Sequence, residues 1–299
     1  MIRDWSTVTL PIQIDEPGLY PNIPEDEYHA DPVKAGSLSS TMAKEILKSP
    51  AHLRYYLDAP REEKDVFDFG TLVHSAILGT GKQVEIIKHK TYHSNEAKQA
   101  KADAYAAGKI PMKEHEYAAV QAVVEAVRNH PIAGPLFDPA QGTPEVSMFG
   151  QHRSGVWLRG RADWITQTGI MVDLKTTQSA DPNEFARTAW NLGYDVQNYH
   201  YQETYRLATG QRPRGFIHVL VDKNPPHLVT IVQLDPEFLE LGESRFERAI
   251  ARYKHATETN EWPGFPDIIH SVSPQAWMTY AEDDQQDFEE QFNERNTAA

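Results

Sequence analysis

Asp163, Asp173 and Lys175 are the residues whose types and spacing could do chemistry together. They lie in GRADWITQTGIMVDLKTT, where two alternating apolar runs flank the turn-like TQTG. A three-residue hairpin loop at 167–169, with Gly169 in the left-handed position, sets residue 163 opposite 173 and Arg161 opposite Lys175. The two carboxylates are then cross-strand neighbours about 5 Å apart at Cβ. Directly opposed like charges weaken a sheet, whereas a divalent cation bridging two carboxylates reverses the sign. Alternation also turns Val172 and Leu174 to the core and Asp173 and Lys175 together to the other face. Hard oxygen ligands suit Mg²⁺ or Mn²⁺, which keep waters and share coordination with phosphate. Phosphodiester hydrolysis fits: the metal polarises the phosphate and acidifies a water, while Lys175 orients that water or offsets developing charge. Asp-x-Lys alone is also a common solvent-facing pair, so the neighbouring pieces decide.

Those pieces must be held by a scaffold. From Glu145 the apolar period is two, and PEVSMFG, SGVWLRGRADWI and GIMVDLKTT read as a three-stranded meander. Before it, SLSSTMAKEILKSPAHLRYYL reads as a helix capped by Ser39 or Ser40, FGTLVHSAILG as a short helix ended by Gly79, and EHEYAAVQAVVEAVRNH as a longer one stopped by Pro131. After it come one or two helices over NEFARTAWNLGYDVQNYHYQETYRLATG, β-rich runs GFIHVLVD and LVTIVQL, and a helix opened by Asp235-Pro236 that runs to roughly His255. The order implies an α/β core, a mixed central sheet flanked by helices with a helical N-terminal part. Expected boundaries are an arm over 1–20, one domain over 21–280 (mainly helical over 21–135, sheet core over 136–280), and a structureless acidic tail over 281–299.

Composition narrows the chemistry. The chain of 299 residues has no cysteine, which fits a reducing compartment and excludes disulfides, thiolate zinc and cysteine nucleophiles. Its apolar runs are too short to span a bilayer and its start lacks signal-peptide features, so a cytoplasmic protein without a membrane partner is expected. A formal net charge of −14 argues against nonspecific coating of nucleic acid. The sign is nevertheless segregated: seven lysines between 82 and 113 face only Glu85, Glu96 and Asp103, and residues 282–299 carry seven acids and one arginine. Such runs are commonly a solvated helix and a loose tail, and the basic one is equally a candidate DNA contact.

With the hairpin joined by IPEDEYHADP…SLSSTMAKEILKSPAHLRYYL, FGTLVH and YDVQNYHYQETY, the sequence resembles the RecE or exonuclease VIII group of PD-(D/E)XK nucleases, related to RecB-type domains. The resemblance covers about Pro21 to Ala208 and implies a restriction-endonuclease-like core. It further implies that Asp163 and Asp173 bind Mg²⁺ and Lys175 is the catalytic lysine. His74 corresponds to the histidine RecB-type nucleases bring to the metal, and Glu145 to an acid that meets it directly or through water. Gln197 and Tyr201, one helical turn apart, line the site. Arg159 and Arg161 on the strand of Asp163, with the hydroxyls of Thr176 and Thr177, are candidate DNA-phosphate contacts. The activity implied is exonucleolytic digestion of double-stranded DNA from an end, 5′ to 3′, leaving a single strand for an annealing protein, by a ring-shaped homo-oligomer. The iron–sulfur branch is excluded by the missing cysteines, and no helicase P-loop is present. Competing readings are a restriction- or repair-type endonuclease on the same core, and a non-enzymatic module whose acidic tail mimics DNA.

Overall fold

The computed structural model describes residues 12–59, 69–89 and 91–297; residues 1–11 of the expected arm, Lys90 of the basic run and the last two residues of the tail lie outside the described residues. The chain divides into two compact units, 1–264 and 265–299, so the first ends before the boundary expected at 280.

What was expected to be an arm is partly a strand. Ile12, Ile14 and Tyr20 are buried with Tyr28 and Phe149, and β1 (Gly18–Tyr20) carries this apolar segment into a sheet. There follow α1 (Glu25–His29) and β2 (Ser37–Ser39). The single helix expected next is two, α2 (Ser40–Lys48) and α3 (Pro50–Asp58). Pro50 lacks the N–H that would continue the first helix, and extended Ser49 caps the second through His52 N–H. Ser39 caps α2 by accepting from Met42 N–H at 3.2 Å. Then α4 (Phe69–Leu78) ends at Gly79, as the sequence predicts. A small layer missed by periodicity intervenes: β3 (Val84–Ile87), α5 (Asn95–Ala106) and β4 (Ile110–Lys113), with β3 and β4 paired in parallel. The expected helix after it is α6 (Glu114–Asn129), followed by the short α7 (Ala133–Leu136).

The meander forms where its alternation places it, as β5 (Gly142–Gln151), β6 (Trp157–Thr166) and β7 (Ile170–Thr177). Gly169 closes the β6–β7 hairpin with φ +82°, a conformation that suits a residue without Cβ. Helices α8 (Pro182–Leu192) and α9 (Tyr194–Thr209), strands β8 (Gly215–Asp222) and β9 (Val229–Val232), and α10 (Pro236–Thr259) complete the first unit. The main sheet runs β1-β5-β6-β7-β8-β9, with β2 also on β6. β5–β6 and β6–β7 are antiparallel, β7–β8 and β2–β6 parallel, so the sheet is mixed. On one face Trp164, Val172, Leu174, Val219 and Val221 pack with α4 and α6. On the other, Met148, Met171 and Phe216 meet Tyr201 and Tyr205 of α9, while α2, α9 and α10 share a further core. Each fully buried aliphatic side chain contributes roughly 1.5–3 kcal/mol.

One edge of β6 is divided. Residues 157–159 pair with β2 and residues 164 and 165 with β7. Between these two partners the strand carries Gly160 to Asp163, and α9 lies over the gap: a Cβ on Gly160 would stand 3.1 Å from the Tyr201 ring.

The second unit contains α11 (Ala276–Thr297), a helix where the charge run led us to expect no structure. Its Glu and Gln residues are good helix formers, and Phe288 and Phe292 stack one turn apart, ring centroids 6.5 Å. No helix among the described residues is long and apolar enough to cross a membrane.

The core has a built-in acid sensitivity. Fully buried His200 of α9 donates from Nε2 to the Arg159 carbonyl at 3.0 Å, and its Nδ1 has no partner. Burial pulls its pKa down to about 4, since a proton on Nδ1 would be a buried, unsatisfied donor. A depressed histidine contributes stability that is complete above its unfolded value near 6.5 and is lost as pH falls towards about 4, on the order of 3 kcal/mol. Urea denaturation at pH 7 and pH 4.5 should show a larger loss for the wild type than for His200→Asn. Equal losses in the two proteins would remove this role.

Candidate active site

Strand β7 supplies the centre. Its parallel register with β8 pairs Asp173 with His218, and parity turns both side chains to the α9 face, away from Val172 and Leu174. Asp173 is 2 % exposed and its carboxylate collects three donors. Lys175 Nζ donates at 2.8 Å, Gln197 Nε2 at 3.0 Å and His218 Nδ1 at 3.0 Å. Burial alone would raise this carboxyl, but the Lys175 ammonium and the His218 bond hold it well below the usual carboxylate range. The same pairing, helped by Asp163, raises Lys175 against the opposing effect of burial. Lys175 also lies 4.9 Å above the Tyr194 ring.

Asp163 is held differently from the sequence expectation. The pairs Trp164–Val172 and Ile165–Met171 are those of the expected hairpin, and one further step would set 163 opposite 173. The ladder stops there, and the Asp163 carboxylate accepts from Leu174 N–H at 2.8 Å. On its other side the β5–β6 register, Pro144 with Trp164 and Val146 with Ala162, leaves Glu145 beside Asp163. Glu145 has φ +46° and interrupts that ladder too. His74 of α4 joins them, with Nε2 3.0 Å from Asp163 and Nδ1 3.8 Å from Glu145. Burial opposes a proton on His74, but Asp163, Glu145 and Asp173 together outweigh it and raise its pKa.

A cavity of about 800 Å³ opens over this cluster, and His74, Glu145, Arg161, Lys175 and Thr176 are in its wall. Asp163 and Asp173 stand behind that wall. Tyr201 packs beside them, its hydroxyl near Ser40 and Gln197, and burial followed by the two aspartates raises its pKa.

Three placements correct the sequence reading. Arg159 is not at a DNA-facing surface. It is buried, paired with Asp31 and donating to the Ser37 carbonyl and hydroxyl, because β2 lies along this part of β6. Thr177 uses its hydroxyl locally, donating to the Ser179 carbonyl at 3.0 Å and accepting from Ser179 N–H. Arg161 does not face Lys175 across a ladder, since β6 has parted from β7 at that level. It donates to Ser147 Oγ and the Ile23 carbonyl, with its guanidinium 4.2 Å over the Tyr28 ring.

Three further residues belong to the cluster. His218 was visible as the lone polar residue in the apolar run GFIHVLVD, but only the parallel β7–β8 register links it to Asp173. Tyr194 read only as one of the aromatics, with Tyr201 and Tyr205, that an amphipathic helix packs on the sheet, and nothing in the sequence singled out Lys44. Lys44 of α2 is close enough to Lys175 that burial and the second ammonium together lower its pKa.

The donors present are carboxylates and an imidazole, which suits Mg²⁺ or Mn²⁺. Among the described residues no three such side chains already surround one point. The carboxylates instead hold the cations beside them, Lys175 on Asp173 and His74 on Asp163, contacts with which a divalent ion would compete. The donor chemistry fits a metal, with Asp163, Asp173, Glu145 and His74 as its nearest candidates.

The family model for a PDDEXK-like domain of unknown function (DUF3799) matches residues 39–272. Among solved structures the chain is similar to a candidate exonuclease from Eubacterium rectale, with 16 % identity, a TM-score of 0.57, and coverage of 86 % of this chain and 97 % of that one. An alkaline exonuclease from Laribacter hongkongensis aligns at 12 % identity and TM-score 0.30 over 76 % of this chain and 92 % of its own. No curated protein matches at a significant level.

Proposed function

Because the chain belongs to the family of PDDEXK-like domains designated DUF3799, we propose that it is a divalent-metal-dependent DNA exonuclease acting on duplex ends. The observation that carries this reading is the Asp173 carboxylate gripped by Lys175, Gln197 and His218 beside Asp163, Glu145 and His74. Asp163 and Asp173, with Glu145 and His74, would hold Mg²⁺ or Mn²⁺, which would supply charge neutralisation at the scissile phosphate and a water of lowered pKa. The protein's own part is positioning. Lys175 keeps its proton and presents an ammonium to the phosphate from the cavity wall. Gln197 and His218 fix the Asp173 carboxylate, and Tyr201 closes the apolar side. Arg161 and Thr176, both in the wall, contact the DNA backbone. End-directed 5′ to 3′ digestion, a ring-shaped homo-oligomer, a single-strand annealing partner and a cytoplasmic setting rest on the resemblance to the RecE group, and the missing cysteines agree with the last.

The deciding experiment compares end-labelled linear duplex with covalently closed circular duplex, each with Mg²⁺ and with chelator. Loss of the linear substrate alone, only with metal, is expected. Nicking of closed circles would replace the exonuclease reading with an endonuclease, and no cleavage with any divalent ion would end the enzymatic one.

His218 acts through Asp173, which makes it a positioning residue. Replacing a residue that orients a metal ligand costs 10–100-fold in metal affinity or activity. His218→Leu should therefore raise the Mg²⁺ concentration for half-maximal cleavage by about that factor, whereas His218→Asn, which retains a donor, should recover part of it. A Mg²⁺ dependence unchanged in His218→Leu would count against the role.

A further inference from the structure

The layer of β3, α5 and β4 carries an unneutralised positive charge in a chain whose net charge is −14. Of its six described lysines, Lys109 is paired with Glu85 at 2.6 Å and Lys113 with Glu116 at 2.7 Å. The segment's other acids keep their charge, Asp103 accepting from the neutral Gln99 amide and Glu96 sitting in the first turn of α5, so the six lysines and three acids leave the layer at about +3. Lys82, Lys88 and Lys98 are exposed, and no carboxylate among the described residues pairs with them. Lys101 is held between two rings, its Nζ 5.0 Å from Tyr92 and 5.7 Å from Tyr105, and Lys113 also lies over Tyr92 at 5.1 Å. An aromatic face fixes an ammonium without cancelling its charge, so Lys101 remains available to an external anion.

The layer is continuous with the candidate active site. Thr80 and Gly81, in the cavity wall, follow the end of α4, and the Thr80 hydroxyl is 3.3 Å from Glu145. Lys82 comes next, and β3 then carries the chain to Lys88. Buried Ala97, Ala104 and Met112 fix α5 on the two strands, so the charges sit on an ordered support.

We infer that this layer is the track for the duplex that runs outward from the cavity, with Lys82, Lys88, Lys98 and Lys101 on the phosphate backbone of DNA. The proposal rests on the nuclease reading for its direction. A local positive surface also provides what an acidic chain otherwise lacks, a region that draws a polyanion to the catalytic mouth.

The test is equilibrium binding of a linear duplex, with chelator present to prevent cleavage, over a series of salt concentrations. The proteins are the wild type, Lys82→Ala/Lys88→Ala/Lys98→Ala, the corresponding triple arginine variant, and Lys48→Ala, whose lysine is paired with Glu45. Each lost phosphate contact flattens the slope of log affinity against log salt by about 0.9. The triple alanine variant should therefore be shallower by roughly 2.7, with the arginine variant and Lys48→Ala matching the wild type. A triple alanine slope parallel to the wild type, or wild-type binding without salt dependence, overturns the track. Since arginine keeps the charge, failure of that variant to restore the slope overturns it as well. Cleavage of the same duplex by the wild type with Mg²⁺ is scored separately. Slope loss without cleavage keeps the surface and removes the nuclease, and cleavage with an unchanged slope does the reverse.

Discussion

Lys175→Ala should lower the single-turnover rate of duplex cleavage by about a hundred- to a thousandfold, the usual effect of removing a donor aimed at developing charge. The ammonium is 22 % exposed at the cavity wall, while Asp173 behind it is 2 % exposed. Asp173 binds it at 2.8 Å and together with Asp163 raises its pKa, so the group carries its charge at neutral pH. Lys175→Arg should not restore the rate, since a planar fork differs from a compact ammonium in reach and geometry. Gln197 and His218 still hold Asp173 in the alanine variant, so the fold should persist, which a thermal melt can verify. A rate within about fivefold of wild type in a folded variant would take Lys175 out of the chemistry.

Asp31→Ala should cost about 3 kcal/mol of stability, the lower end for stranding one partner of a buried pair. For a domain of this size that is a fall in Tm of about 6–10 °C. Arg159 is 7 % exposed and Asp31 21 %, and Asp31 also accepts from the Ser37 N–H and hydroxyl at 2.7 Å each. Without Asp31 the guanidinium keeps the Ser37 contacts and loses its counter-charge. Arg159→Met, which removes the charge and keeps the volume, should be milder, as replacement of buried ions by apolar groups often is. Neither variant should change the salt slope of DNA binding. A shallower slope for Arg159→Met would restore the phosphate-contact role that burial denies it.

How much of this was legible in the sequence follows from the range of the interactions involved. The meander, the caps at Ser39 and Asp235 and the stop at Gly79 depend on neighbouring residues, and the structure has them. So does the hairpin closed by Gly169, which brings Asp163 close to Asp173. The early end of the β6–β7 ladder was not legible, because it depends on β2 occupying the first part of the same edge. That strand has three residues and no period, and its partner lies on the far side of several helices in sequence. Arg159 was misread for the same cause: four residues before Asp163 on the same strand it looks like part of a site, and only β2 and α1 bury it. His218 stands out in an apolar strand, yet its bond to Asp173 needs the parallel pairing across α8 and α9.

The first strands also bear on how the protein can be cut. The family match begins at residue 39, a boundary that would suggest a fragment starting there. Such a fragment would lack β1, which covers the outer side of β5, and most of β2, which fills the divided side of β6. Both strands would then present rows of open N–H and C=O groups, templates for pairing with another chain. Shortened from that end, the protein is expected to self-associate and precipitate, so β1 and β2 act as the solubility guard of the sheet.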